Sequence, residues 1–260
     1  MPDTLMDQYW RLPAISRTLT TYMFVSSLAM HLGLLDMTPF IYSRYYLFRF
    51  PPQIWRCITG FLITGPQLGL MFDSYFFYNS CSALETGHPR MRRKEDLIWY
   101  FFFIIFTMLV IDYYAAIMPF FTFTHGFIVA LAYTCTQQQQ ELTTNYMFLP
   151  MPAPLLPYAM IVISLLFPGG HVNAIQGVYG LVAAHLYEFL SRIYPQLGGG
   201  PNILKTPKFM TRLVNYAQGR STQVFRGTGT TGAASGSDAG AGSGPLPDSW
   251  KTRGSGRRLG

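Results

Sequence analysis

Residues 50–66 read FPPQIWRCITGFLITGP, and the reading of the arginine inside that run decides the rest. Pro51 and Pro52 forbid a helix upstream, and Trp55 is an aromatic of the kind that settles at membrane interfaces. From Cys57 onward the chain is apolar for about the depth of a bilayer. Arg56 is therefore expected at the mouth of a membrane span, where a guanidinium must snorkel, find a partner or line a wet cavity.

Composition agrees with that setting. The 260 residues are 50% hydrophobic, 16% aromatic and only 12% charged, with mean hydropathy +0.20, which is too apolar for an ordinary soluble domain. The net charge of +7 would raise nucleic acid as a partner, but the cations are placed otherwise. Beyond Arg56, every Lys and Arg lies between Arg90 and Lys94 or from Arg192 onward. Clustered this way they set membrane orientation, and no nucleic-acid partner is expected. Cys57, Cys81 and Cys135 are odd in number and lack CxxC spacing, so neither a disulfide framework nor a zinc site is expected. Asp3 and Asp7 stand where a removable signal would be basic, so the first span is expected to stay as an anchor.

Six apolar segments can be drawn, at 18–35, 55–78, 97–118, 120–135, 155–167 and 172–190. The expectation is an all-α membrane protein, a bundle of six transmembrane helices with both termini on one side. The basic loop at Arg90 to Lys94 and the basic tail then share a side, which the positive-inside rule makes cytosolic. Trp55 and Arg56 face the other side. The intervening loop carries Tyr42, Tyr45, Tyr46, Phe48 and Phe50 with Arg44 and Arg49, a mixture suited to the headgroup region. On this count Asp73 lies toward the cytosolic end of the second span. The fifth segment is bounded by Pro154, Pro157 and Pro168 and reaches only about 20 Å. The hydrocarbon core is about 30 Å thick, so the bilayer must thin beside this helix or the bundle must shield it. The fourth segment, interrupted by Thr122, Thr124, His125 and Gly126, is also short and polar.

On the sixth segment Gly177, Gly180 and Ala184 fall along one helical face, and Gly180 with Ala184 forms a small-xxx-small pair suited to close packing. Four regions follow from these features: a cytosolic N-terminus at 1–17, the membrane domain at 18–194, a juxtamembrane segment at 195–218 and a flexible tail at 219–260. The tail is dominated by Gly, Ser, Thr and Ala, which cannot bury enough apolar surface to fold.

With Pro13-Ala14-Ile15-Ser16-Arg17 before the first span, Gln53-Ile54-Trp55-Arg56 opening the second and Gly65-Pro66 within it, the chain resembles the Derlin family. Ala184-His185-Leu186-Tyr187 with Phe189-Leu190, and Gly198-Gly199 through Ile203-Leu204-Lys205-Thr206-Pro207, extend the resemblance from 13 to about 210. It implies a rhomboid-like pseudoprotease of the endoplasmic reticulum membrane that helps export misfolded proteins to the cytosol for ubiquitin-dependent degradation. By resemblance, Trp55 and Arg56 match the family's first-loop motif, and Gly180 and Ala184 its sixth-helix GxxxG, with Ala184 in place of the second glycine. Glu188 stands where the family tends to have an aromatic, and Ser191-Arg192 replaces an acidic pair. Gly254, Gly256 and Leu259 look like the family's terminal glycine box, which recruits the AAA+ unfoldase valosin-containing protein, although Thr252 holds the place of its aromatic. The partners implied are misfolded clients, that unfoldase and a membrane ubiquitin ligase complex, with homo-oligomers also compatible; no cofactor is implied.

His185 invites a protease reading, because rhomboid proteases carry a catalytic base on the sixth helix. A base needs a nucleophile within reach, and no serine occurs between Ser82 and Ser164. The default for His185 is a hydrogen-bonded core histidine, and proteolytic activity is not expected. Asp112, deep in the third segment, is expected to be paired or functional, since a lone carboxylate in lipid is costly. A transporter or channel is the rival in another class, weakened by the lack of an internal repeat.

Overall fold

Pro13 ends one helix and opens the next, because its ring fixes φ and leaves no N–H to donate. Helix α1 (Leu5–Arg11) stops before it and α2 (Ala14–His31) starts after it. The orphan donors at the start of α2 are taken by a carboxylate from far along the chain. Glu85 accepts from the Ile15 amide at 3.1 Å, the Ser16 amide at 2.8 Å and the Ser16 hydroxyl at 2.6 Å, which is a favourable charge for a helix N-terminus. Arg17 ties α1 down by donating to the carbonyls of Trp10 at 2.9 Å and Tyr9 at 3.2 Å, with its guanidinium 4.4 Å from the Trp10 ring.

This computed structural model describes residues 5–47, 50, 53–66, 68–88, 91, 93–115, 117–137, 143–146, 149–167, 169–198, 204, 206–212, 214 and 216. The described residues fall within one compact unit, 1–216. The tail positions Gly254, Gly256 and Leu259 lie outside the described residues, as do Gln138 to Gln140.

The second predicted span is not one helix. A single turn, α4 (Arg56–Thr59), is followed by non-helical chain, and the long helix α5 begins only at Leu68 and runs to Gly87. Gly60 and Gly65 weaken helix here, and Pro66 cannot supply the bond a helix interior needs. The chain between is nevertheless buried at Phe61, Leu62, Ile63 and Thr64, so its backbone polar groups must find partners. Phe123 donates its amide to the Gly60 carbonyl at 2.8 Å and Thr124 donates its hydroxyl to the Ile63 carbonyl. The Thr64 amide donates to Ser27 Oγ at 3.0 Å, and its carbonyl lies 3.0 Å from His31 Nε2. Irregular backbone is tolerated at membrane depth when it is sealed inside protein in this way. The later start of α5 also moves Asp73 from the far end of the span to the second turn of the helix, beside the Gly65 backbone.

Helix α6 (Lys94–Ala115) carries Glu95 and Asp96 in its first turn, where the helix dipole favours them. Among the described residues it is the one helix long and apolar enough to cross a membrane by length and composition alone. Helix α7 (Thr124–Thr136) is the most enclosed, with every residue from Gly126 to Thr134 buried. It is flanked by α5, α6, α8 and α9. Phe127 sits at the junction, its ring 5.8 Å from Phe61, 5.9 Å from Phe77 and 5.5 Å from Phe101. Tyr100 on α6 donates to the Ala130 carbonyl at 3.1 Å and lies 2.7 Å from the Thr134 hydroxyl.

A short antiparallel hairpin, β1 (Thr143–Tyr146) with β2 (Leu149–Pro152), pairs Thr143 with Pro152 and Tyr146 with Leu149. It was not expected in an all-α chain; Pro150 and Pro152 obscure it, because proline is confined to strand edges. Helix α8 (Leu156–Ser164) has nine residues and follows directly on a 3-10 turn at Ala153–Leu155; it is shorter than the predicted segment chiefly because Leu165 to Phe167 leave the helix ahead of Gly169. Gly169, at φ 72°, takes the left-handed conformation that lets the chain reverse into α9 (Gly170–Glu188). Beyond α9 a π-helical turn, Phe189–Ile193, leads to α10 (Tyr194–Gly198). The following segment returns to α6, with Thr206 donating to Asp96 at 2.5 Å and Phe209 edge-on to Trp99 at 6.3 Å.

Candidate functional site: a clamped first loop and a glycine seam

The Trp55-Arg56 pair opens α4, and the turn presents one side to the loop that precedes it. Four consecutive carbonyls of that loop are held by three side chains. Arg56 Nη1 donates to Thr38 at 2.5 Å and to Ile41 at 2.8 Å, Trp55 Nε1 to Pro39 at 3.3 Å, and Thr59 Oγ1 to Phe40 at 3.0 Å. Arg56 Nε donates to the Gln53 side chain, and the guanidinium lies over the Tyr46 ring at 4.4 Å. Arg56 is only 5% exposed. Of the three outcomes open to it, the arginine finds partners; it is sealed under the loop and does not face an open mouth. Trp55 keeps half of its surface exposed beside Ile54 and Ile58, so α4 is clamped on one side and apolar on the other. The loop begins with Asp36 accepting from the Thr38 amide at 3.0 Å and hydroxyl at 2.8 Å. Those bonds, the backbone one foremost, hold the Asp36 carboxyl below the usual carboxylate range.

A second arginine fastens the same loop to the bundle. Arg44, on the short helix α3 (Arg44–Leu47), reaches Asp112 near the end of α6, with Nε 3.1 Å and Nη2 2.9 Å from Oδ2, and Nη2 also donates to the Asp112 carbonyl at 2.5 Å. Asp112 is 1% exposed, whereas the Arg44 side chain is 35% exposed. The buried carboxylate is thus paired, and its partner comes from the loop. The cavity beside it, about 360 Å³, is walled by Tyr42 to Tyr45 and by Met118 to Phe121.

Gly180 faces α7. A Cβ there would run into the carbonyl of Gly126, and one on Gly126 would strike the carbonyl of Gln176 and the Met108 methyl. The two glycines bring the helix backbones into direct contact, with Ala183 and Ala184 fully buried beside them. Gly126 interrupts the fourth segment in sequence; in space it is the other half of the Gly180 contact. Gly177 faces α8 instead, where a Cβ would press on the Ile161 side chain.

His185 departs from its expected place. It is exposed, not a core residue, because it lies one position past the buried Ala183-Ala184 face of α9. Its Nδ1 is 2.9 Å from the hydroxyl of Tyr133 on α7, and α7 carries no serine. Glu188 and Arg192 pair across the π turn at 3.1 Å. Among the described residues no cluster of His, Cys, Asp or Glu could hold a metal ion.

These features define an apolar helical bundle with an arginine-clamped first loop and a glycine seam between its fourth and sixth long helices. The model of the Der1-like family matches residues 12–208, and the chain belongs to that family. It is 30% identical to Derlin-1 of Arabidopsis thaliana over 237 residues, covering 87% of this chain and 84% of the relative. It is 29% identical to Derlin-1 of Homo sapiens over 226 residues, covering 82% and 84%, and 27% identical to Derlin-1.1 of Zea mays over 215 residues, covering 80% and 84%.

Proposed function

We propose that this chain is a six-span protein of the endoplasmic reticulum membrane, with both termini cytosolic, that assists the passage of misfolded proteins to the cytosol for degradation. It carries no proteolytic chemistry of its own. The observation that carries the reading is the length of two adjacent helices. The 13 residues of α7 reach about 20 Å, and α8 with the 3-10 turn that leads into it, Ala153–Ser164, also reaches about 20 Å. A hydrocarbon core of about 30 Å must thin to meet α8, whose outer face is apolar and exposed at Val162 and Leu165. A thinner, wetter bilayer lowers the cost of moving polar chain across it, because fewer groups lose water. Trp55 and Arg56 hold the lumenal loop in shape, and Gly254, Gly256 and Leu259 of the tail bring an AAA+ unfoldase to pull.

The test is the half-life of a misfolded membrane or lumenal client in cells that depend on this chain. Arg56→Ala lengthens that half-life while the level of the chain is maintained; an unchanged half-life contradicts the role of the loop. Deleting residues 250–260 weakens co-purification of the unfoldase, and undiminished recovery contradicts the role of the tail. A protease reading requires that His185→Ala abolish cleavage of a fluorogenic transmembrane substrate. The Tyr133 contact and the lack of a serine on α7 support the opposite expectation, that no cleavage is seen with either protein.

A further inference from the structure

Helices α8 and α9 meet at Gly177, where the missing Cβ leaves room for Ile161. One turn farther along, the space between them opens into a cleft of about 350 Å³. Its walls are Tyr158 on α8 and Val182, Leu186 and Phe189 on the α9 side, and each of these four is substantially exposed. Tyr133 and His185 also line it. In this apolar setting the exposed imidazole offers a hydrogen-bonding group at the cleft surface. Nδ1 is engaged by the Tyr133 hydroxyl at 2.9 Å, which fixes the ring, while Nε2 has no partner among the described residues.

We propose that this cleft binds a membrane-spanning helix of another polypeptide that presents an Asn or Gln carboxamide to His185. The proposal rests on the membrane role described above and names the kind of client segment the cleft selects. The chemistry of the cleft favours that occupant. Polar side chains associate helices in lipid because their alternative is an unsatisfied group in hydrocarbon. A carboxamide both donates and accepts, so it satisfies Nε2 in either tautomer of the ring. An acyl chain supplies no such group. The cation that follows along the chain, Arg192, is already paired with Glu188 at 3.1 Å, so among the described residues the cleft lining offers no unpaired Lys or Arg to a lipid phosphate. A helix whose carboxamide is exposed to lipid is one that has lost its own partner, which is the condition of an unassembled membrane protein.

The test uses the full-length chain in lipid nanodiscs with the photo-crosslinker benzoylphenylalanine placed at Val182, on the cleft wall, or at Val25 on α2, an exposed position away from it. Two probes are compared, an all-Leu transmembrane helix and the same helix with one Asn at the level of the cleft. From Val182 the Asn helix is captured several-fold more than the Leu helix, from Val25 the two are equal, and His185→Phe removes the difference. His185 is exposed, so this variant keeps the fold, which size-exclusion chromatography verifies. Equal capture from Val182, selectivity that survives His185→Phe, or crosslinks found only in lipid or in a second copy of the chain overturns the proposal. Equal capture together with Arg56-dependent client degradation would remove the cleft assignment and leave the degradation role standing.

Discussion

The carbonyl of Gly126 occupies the place a Cβ on Gly180 would take. The closeness of α7 and α9 therefore depends on both positions lacking side chains, and the obstacle is backbone, which cannot swing aside. Gly180→Leu forces the helices apart and destabilises the bundle by about 3 kcal/mol or more, at the upper end of overpacking costs. Gly177→Ala meets only the Ile161 side chain, which can change rotamer, and costs about 1 kcal/mol. Thermal unfolding in detergent separates the two; equal loss at both positions would contradict the backbone contact.

Arg44 and Asp112 form the ion pair that fastens the first loop to α6. Removing one partner of a buried pair typically costs about 3–5 kcal/mol, and the exposure of Arg44 places this one toward the low end. Arg44→Ala, Asp112→Ala and the double variant should show a coupling of about 1–2 kcal/mol in thermal unfolding. Additive losses would show that the pair contributes no coupling.

Arg56→Lys keeps the charge but loses the planar fork that spans two carbonyls and lies on Tyr46. Amide exchange in residues 36–42 should rise by about tenfold, corresponding to about 1.4 kcal/mol of lost local stability. Unchanged exchange would mean that the loop holds its shape without the guanidinium.

Glu85 caps α2 from a distance of 69 positions in sequence. Glu85→Ala leaves the Ile15 and Ser16 amides without that acceptor, and the loss is about 1–2 kcal/mol. Faster exchange confined to the first turn of α2 is the expected signature. An effect spread equally along α2 would assign Glu85 a different role.

Much of the bundle was legible because the long helices are apolar runs broken by proline, glycine or charge. Asp112 announced a partner by being a carboxylate in a span, but the identity of Arg44 depended on how the loop folds back, which periodicity does not encode. The second span misled for a physical reason. Residues 57–64 are as apolar as a helix, yet Gly60, Gly65 and Pro66 end α4 after one turn and send 60–64 through the core as irregular chain whose hydrogen-bond partners are Ser27, His31, Phe123 and Thr124. Gly126 was visible as an interruption, and only the fold reveals it as the seat of Gly180. Trp55 and Arg56 stood out as a pair, whereas the Thr59 contact one turn later carried no signal beyond its spacing. A polar ring in an apolar segment is normally satisfied in the core, but the outward turn of His185 is set by the small residues Gly180, Ala183 and Ala184 that take the buried side of α9.

The central claim is that the short helix α8, exposed on its outer face, draws the two faces of the bilayer together beside it. A cryo-EM map of the chain in lipid nanodiscs measures this directly, as the separation of the two headgroup layers around the molecule. The account predicts layers that converge beside α8 relative to those beside α6. A separation that stays uniform on every side would contradict it.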